Sequence, residues 1–335
     1  MLVLMLVAIL LLSLMIVLLI IPPAPAAHGT SSSLNGIEIF PKDHIWNTRV
    51  DNLPVDAKSD VYINDLIQDT APNHMLRHYI STAIPYQVVN STQSHQYITK
   101  FAHNGTYADN VAYPIPDNPL FEQGSNDHHM EIIDVDEMVL YELGAVEQLP
   151  DGSWKAGSGA VWNLQGYSFR KNNVTPMWST DESGLWVFPG LVRYDEVSAG
   201  YINHSLRLAV PAMQNTWVWP ARASAPLPMV YDPAHPPAGQ RFRLKASYDI
   251  SGYPPQAKVI LQALKTYGAT ASTLNGIGNP MNIIGSPDTR WNYADLNTLW
   301  RVNISDFEAV DVSSLMIDPN SAQARQFPLV TPTPR

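Results

Sequence analysis

The stretch from His128 to Leu164, HHMEIIDVDEMVLYELGAVEQLPDGSWKAGSGAVWNL, decides the fold class. It holds three short apolar runs, His128 to Asp134, Met138 to Val146 and Ser153 to Leu164, with the turn pair Asp151-Gly152 before the last. Runs this short, rich in β-branched and aromatic residues and punctuated by turn signals, read as strands of a hairpin meander. Similar runs follow at Leu191 to Val197, Tyr201 to Val210, Trp217 to Trp219 and Arg241 to Ile250. Their spacing predicts a mainly β, antiparallel sandwich or jelly-roll-like single domain.

Three helical patterns interrupt the strands. A short helix fits Val61 to Ile67. A stronger one fits Gln256 to Tyr267, where Pro254 and Pro255 precede, Val259, Ile260, Ala263, Leu264 and Tyr267 share a face, and Gly268 ends it. A third runs from Tyr293 to Trp300 behind Asn292 as a cap. As covering helices on sheets they make the domain α+β with β dominating.

Composition narrows the class. The chain has 335 residues, of which 45% are hydrophobic but only 15% charged, and 28 are proline, which excludes a disordered acidic chain, a coiled coil or a helical bundle. The net charge of −10 disfavours nucleic acid as a partner, because phosphate contacts need a basic surface. With no cysteine, thiolate metal sites and disulfides are excluded.

Met1 to Ile21 is apolar apart from Ser13, long enough to meet the hydrocarbon core of a bilayer. The small residues and prolines up to Ala27 suit a signal-peptidase site, while the length of the apolar run suits a retained anchor. Both readings place the remainder outside the cytoplasm, secreted or membrane-anchored. The expected organisation is a signal peptide or anchor at 1–27, a flexible linker at 28–45, one β-rich domain at 46–320 and a loose tail at 321–335. Sequons at Asn90, Asn104, Asn173, Asn203 and Asn303 suit an exported glycoprotein.

Four constellations bear on chemistry. Asp127, His129 and Glu131 alternate, so on a strand they share a face: either His129 and Glu131 bind a divalent metal ion or act as acid and base, or the three are a polar strand entry bonded to backbone and water. In the proposed hairpin at Leu191 to Val210, Glu196 and His204 fall on core-patterned faces and need partners, each other or Arg222. They either form a structural network or line a cleft as proton-transfer groups, with Asp195, Glu131, Asp181 or Glu182 as a second carboxylate. Arg241, Arg243 and Lys245 alternate along what reads as an exposed basic face. Among nine tryptophans, Trp178 and Trp186 fall in loop-like contexts suited to stacking on sugar rings, whereas Trp162, Trp217 and Trp219 read as core.

The segments Gly157-Ser158-Gly159-Ala160, Pro189 to Val197 (PGLVRYDEV), His204-Ser205-Leu206-Arg207, Trp219-Pro220-Ala221-Arg222 (WPAR), Arg243 to Ser247 and Ile260 to Gly268 resemble a family of exported microbial proteins with no assigned activity. The resemblance runs from Trp46 to Asp311 and implies a single exported domain. The sequence therefore leads to an exported protein acting on extracellular polysaccharide as a hydrolase or lyase. Its catalytic candidates are Glu196, His204, Asp195 and Glu131, with Arg193, Arg207, Arg222, Trp178 and Trp186 binding substrate. The alternative is a non-catalytic protein that binds cell-envelope glycan.

Overall fold

The computed structural model describes residues 34, 36–80, 84–102, 108–170, 178–224 and 232–326. The apolar segment at 1–21 lies outside them, and no helix among the described residues is long and apolar enough to cross a membrane. The two larger of four sheets among the described residues are built from ten strands: β1 (Arg77–Tyr79), β2 (Tyr86–Val89), β3 (Met130–Asp134), β4 (Val139–Gly144), β5 (Ser158–Asn163), β6 (Leu206–Val210), β7 (Arg241–Leu244), β8 (Ala269–Leu274), β9 (Asn282–Ile284) and β10 (Phe307–Val310). The helices are α1 (Ser59–Asp69), α2 (Tyr194–Ala199), α3 (Pro255–Thr266) and α4 (Tyr293–Leu296). The result is the expected β-dominated α+β domain.

The runs after His128 do form hairpins. β3, β4 and β5 pair antiparallel in sequence order, and β2 adds to the free edge of β3 in parallel. The larger sheet has the order β1-β9-β6-β8-β7-β10, with β1 parallel to β9 and β6 parallel to β8. Both sheets are therefore mixed where a purely antiparallel arrangement was expected. The physical reason for one parallel pair is the long crossover from β6 to β8, which carries β7 and α3 before the chain re-enters beside β6.

The main core is one cluster that takes in Ile133, Leu140 and Trp162 of the smaller sheet, Phe188, and Leu206 and Leu208 of the larger sheet. The opposite face of the smaller sheet, including Met130, Ile132 and Leu143, is covered by a second apolar cluster with Trp154, Phe101 and Tyr113. Every residue of β3, β6 and β7 is buried, so these strands have two dry faces. A strand in that position buries its polar alternates as well as its apolar ones.

That burial corrects the basic strand. Arg241 is 1% exposed and Arg243 8%, so neither lies on an open face. Arg243 ties β7 to the N-terminal segment by donating to the Val50 and Leu53 carbonyls at 2.5 and 2.8 Å, and to Glu308 at 2.7 Å. Arg241 donates to the Tyr267 and Ile45 carbonyls at 2.7 and 3.4 Å, and burial lowers its pKa to about 9, which leaves it charged at neutral pH.

The helix boundaries follow local chemistry. In α3, Pro255 occupies a first-turn position where its missing N–H costs nothing, and Gly268 follows the helix with φ +67°. A Cβ on Gly268 would stand 2.3 Å from the Phe242 carbonyl oxygen, so only glycine fits. α4 is shorter than expected, continuing as a tighter 3-10 turn over Asn297–Arg301, and the Asn292 side chain accepts from Ala294 and Asp295 N–H as its cap.

Packing extends beyond the boundaries drawn at 46 and 320. Within 28–45, Phe40 and Ile45 are buried and Phe40 N–H donates to the Leu164 carbonyl at 3.0 Å. Within 321–335, Ala322 and Ala324 are buried and the Gln323 side chain donates to Asp43 at 2.9 Å.

Candidate functional site

The segment PGLVRYDEV does not form the first strand of a hairpin. Phe188–Gly190 is a 3-10 turn and Tyr194–Ala199 is α2. Asp195 and Glu196 sit in the first helical turn, where negative charge complements the helix dipole, and Gly200 terminates the helix at φ +91°. These signals outweigh the alternation of apolar residues that suggests a strand. Gly190 passes so close to β6 that a Cβ there would meet Arg207 Cβ at 2.9 Å.

The turn is held from below by a carboxylate. Glu142, on β4, accepts the Val187 and Phe188 N–H groups at 2.7 and 3.2 Å through one oxygen, and the Trp162 indole at 2.7 Å through the other. This fixes the start of the segment from which Arg193 projects. Arg193 is 4% exposed and lies over the Phe188 ring, with its guanidinium carbon 5.0 Å from the ring centre.

Arg193, Glu196 and His204 form one network. Arg193 Nη2 donates to Glu196 Oε1 at 2.7 Å and lies 3.0 Å from His204 Nε2. His204 Nε2 is also 3.1 Å from Glu196 Oε2, while its Nδ1 is 2.9 Å from the Ser205 carbonyl and donates to it. Glu196 and His204 thus partner each other as expected, with Arg193 in the role foreseen for Arg222. Burial opposes ionisation of Glu196, but the charges of Arg193 and then His204 outweigh it and hold the carboxyl below its usual range. Both ring nitrogens of His204 are occupied, so the imidazole orients Glu196 rather than offering a free proton-transfer site.

The network opens into a cleft of about 780 Å³. One wall is α2 with Asn203 and Tyr201, and the other is the segment from Leu34 to Leu53, with Tyr86 and Tyr267 also contributing. Glu196 is the member of the network with most access, its side chain 22% exposed. The wall carries four carboxylates and three cations, so it is near charge balance. Two of those cations, Arg193 and Arg49, are already paired with Glu196 and Asp51, and Asp195 pairs with Arg290 at 3.1 Å. Most of the segment before Leu53 was missed as a wall because its polar residues and Pro41 read as a linker. The signal for it was the cluster of apolar residues Ile37, Ile39, Phe40, Ile45 and Trp46.

The other candidates lie elsewhere. Glu131 is wholly buried on the face of β3 toward the main core, opposite Glu142, and does not reach the cleft. Arg222 donates to the Pro319 carbonyl and the Asn320 side chain at 2.7 and 3.0 Å, fastening the C-terminal segment. Trp186 is a core residue with no exposure, packed with Trp46, Trp162, Phe40 and Phe169. Trp178 is half-buried and donates its indole N–H to the Ser224 carbonyl at 3.0 Å. Trp217 is 36% exposed rather than core, and Trp219 is half-buried.

His129 and Glu131 do not form a metal pair. His129 Nδ1 is 2.8 Å from Glu122 and Nε2 is 3.1 Å from the Thr180 carbonyl, so both nitrogens serve as donors and no lone pair remains. Burial disfavours the charged ring, yet the Glu122 hydrogen bond and charge raise its pKa above the usual value. His129 lines a smaller pocket of about 150 Å³ together with Asp127, Glu182 and Arg207. There Arg207 is only 3% exposed and donates through Nε and Nη2 to Asp181 at 3.0 and 2.8 Å. Burial, then the Asp181 charge, raises the Glu182 pKa. Arg207 therefore joins the carboxylates near His129 rather than the Glu196 cleft.

Among the sequons, Asn90, Asn203 and Asn303 are exposed, and Asn104 and Asn173 lie outside the described residues. Asn203 stands at the cleft wall, while Ser205 of its sequon is buried and bonds to Thr270 at 2.9 Å. Comparison with protein-family models, with curated proteins and with solved structures gave no match.

Proposed function

We propose that this chain is an exported protein that binds extracellular polysaccharide in the cleft beside Glu196. The observation that carries the reading is the Glu196 carboxylate, fixed by Arg193 and His204 and left partly open to a cleft of about 780 Å³. A sugar chain offers vicinal hydroxyls, which an oriented carboxylate accepts, and apolar ring faces, which Tyr201 and Tyr267 are placed to cover. The near balance of charge on the walls favours a neutral glycan over a polyanion. On this reading residues 1–21 direct export, and are removed or kept as a membrane anchor.

A catalytic reading has one observation in its favour: Glu196 is held ionised, as a hydrolytic nucleophile or a proton-abstracting base requires. The test is a panel of neutral and acidic polysaccharides screened for retention, reducing-sugar release and unsaturated product, with wild type and Glu196→Gln. Retention of a neutral glycan that weakens by about tenfold in a folded Glu196→Gln protein supports the binding reading. Turnover abolished by the same change supports the hydrolase or lyase. Absence of both retention and turnover across the panel overturns both.

A further inference from the structure

Helix α1 carries Asp65 and Asp69 four residues apart, so both carboxylates project from one face. The loop at 232–238 brings His235 over that face, and the Gln214 side chain fixes the loop by donating to the His235 carbonyl at 2.6 Å. His235 is 7% exposed. Its Nδ1 is 2.7 Å from Asp65 Oδ2 and 3.4 Å from Asp69 Oδ2, and one ligand atom from each of the three residues falls within 4.8 Å of the others.

Two features of the cluster are unbalanced. Asp69 Oδ2 is shut off from solvent and accepts no hydrogen bond among the described residues. Two carboxylates, Asp65 and Asp69, face one imidazole, which brings at most a single positive charge. A buried oxygen with no donor and an excess of negative charge are both relieved by a cation of higher charge. No comparable group of three among the described residues was found at His129 and Glu131, where both imidazole nitrogens are spent on other acceptors.

We propose that Asp65, Asp69 and His235 bind one divalent transition-metal cation, with water completing its coordination. Two carboxylate oxygens and one imidazole nitrogen suit Mn²⁺ or Zn²⁺, and the nitrogen ligand and small number of protein donors disfavour Ca²⁺. The metal takes the lone pair of Nδ1, so the proton now shared with Asp65 leaves to Nε2 or to solvent. The ion clamps the C-terminal half of α1 to the loop at 232–238.

The experiment uses the full-length protein, stripped with chelator and titrated with Mn²⁺ by calorimetry and by electron paramagnetic resonance near pH 7.5. One Mn²⁺ per chain is expected, displaced by Zn²⁺, with a higher melting temperature in the bound form. Asp69→Asn and His235→Gln each weaken affinity by about tenfold or more. Paramagnetic broadening of the His235 ring signals in the unmodified protein reads the site without relying on any variant. Absence of saturable binding, or binding unchanged in folded variants with sharp His235 signals, overturns the site.

Discussion

Glu131 and Glu142 stand directly opposite one another on β3 and β4, and neither has any exposed surface. Glu142 accepts two backbone N–H groups, the Trp162 indole and the Thr180 hydroxyl, whereas Glu131 receives no donor of its own. Burial and then the charge of Glu142 push the Glu131 pKa well above its usual value, which favours its protonated form in the fold.

The folded protein therefore keeps a proton that the unfolded chain releases above about pH 4.5. Stability falls as pH rises past that point. Glu131→Gln, which needs no proton, is expected to raise the melting temperature near pH 8, a gain of about 1–3 kcal/mol that vanishes near pH 4. Calorimetric scans across that range check it; a variant no more stable than wild type near pH 8 contradicts the pairing.

Arg193 is the hub of the cleft network, with Glu196, His204 and the Phe188 carbonyl all within reach of its guanidinium. Its removal leaves a buried carboxylate and imidazole without their cation. Arg193→Ala is expected to cost about 3–5 kcal/mol in urea unfolding, and Glu196→Gln, which keeps the shape and an acceptor oxygen but leaves the buried guanidinium without its carboxylate, about 1–3 kcal/mol. Equal losses in the two variants would mean that the Arg193–Glu196 pair carries the whole effect and that Arg193 is not the hub of the network.

His44 is sealed in the core, stacked on Phe40 with ring centres 3.9 Å apart, and its Nδ1 accepts the Trp46 N–H at 3.2 Å. Burial lowers its pKa from 6.5 to about 3, against a weaker opposing effect of Asp43. The unfolded chain takes up a proton that the fold refuses, so stability is lost progressively as pH falls below 6.5 toward 3. His44→Phe is expected to flatten this acid limb by several kcal/mol, read as a smaller shift in unfolding midpoint between about pH 7 and pH 4.

Two glycines report on close approach. Gly268→Ala places a methyl group 2.3 Å from the Phe242 carbonyl at a left-handed backbone position, and Gly190→Ala meets Arg207 on β6. Losses of about 2–4 kcal/mol and 1–3 kcal/mol are expected, in that order, from thermal unfolding. Gly252→Ala, where nothing lies within 4 Å, serves as the neutral control.

Local signals carried much of the fold. The hairpins after His128 and the span of α3 follow from turn pairs, prolines and a helical stripe that act over a few residues. The sequence pattern failed where both faces of a strand are covered. Alternation along Arg241-Phe242-Arg243-Leu244 implies one wet face, yet β7 has none, and its arginines are absorbed by backbone carbonyls of the segment at 45–53 and of Tyr267. The partnership of Glu196 with His204 was legible from the cost of burying each alone. That Arg193 joins them rests on α2, whose first turn brings residues three apart together, a spacing no strand supplies.

The larger sheet takes its outer strands from chain regions made far apart in time. β1 enters beside β9, where Arg77 pairs with Asn282, and β10 closes the other edge, with Val55 bridged to Val310. Ile45 N–H reaches the Ala322 carbonyl across almost the whole length of the polypeptide. The segment from Ile45 to Val55 therefore waits for residues 310–322, and β1 for β9, before each finds its partner. Such a topology folds late and all together, and keeps apolar strand edges open to holdase chaperones until then.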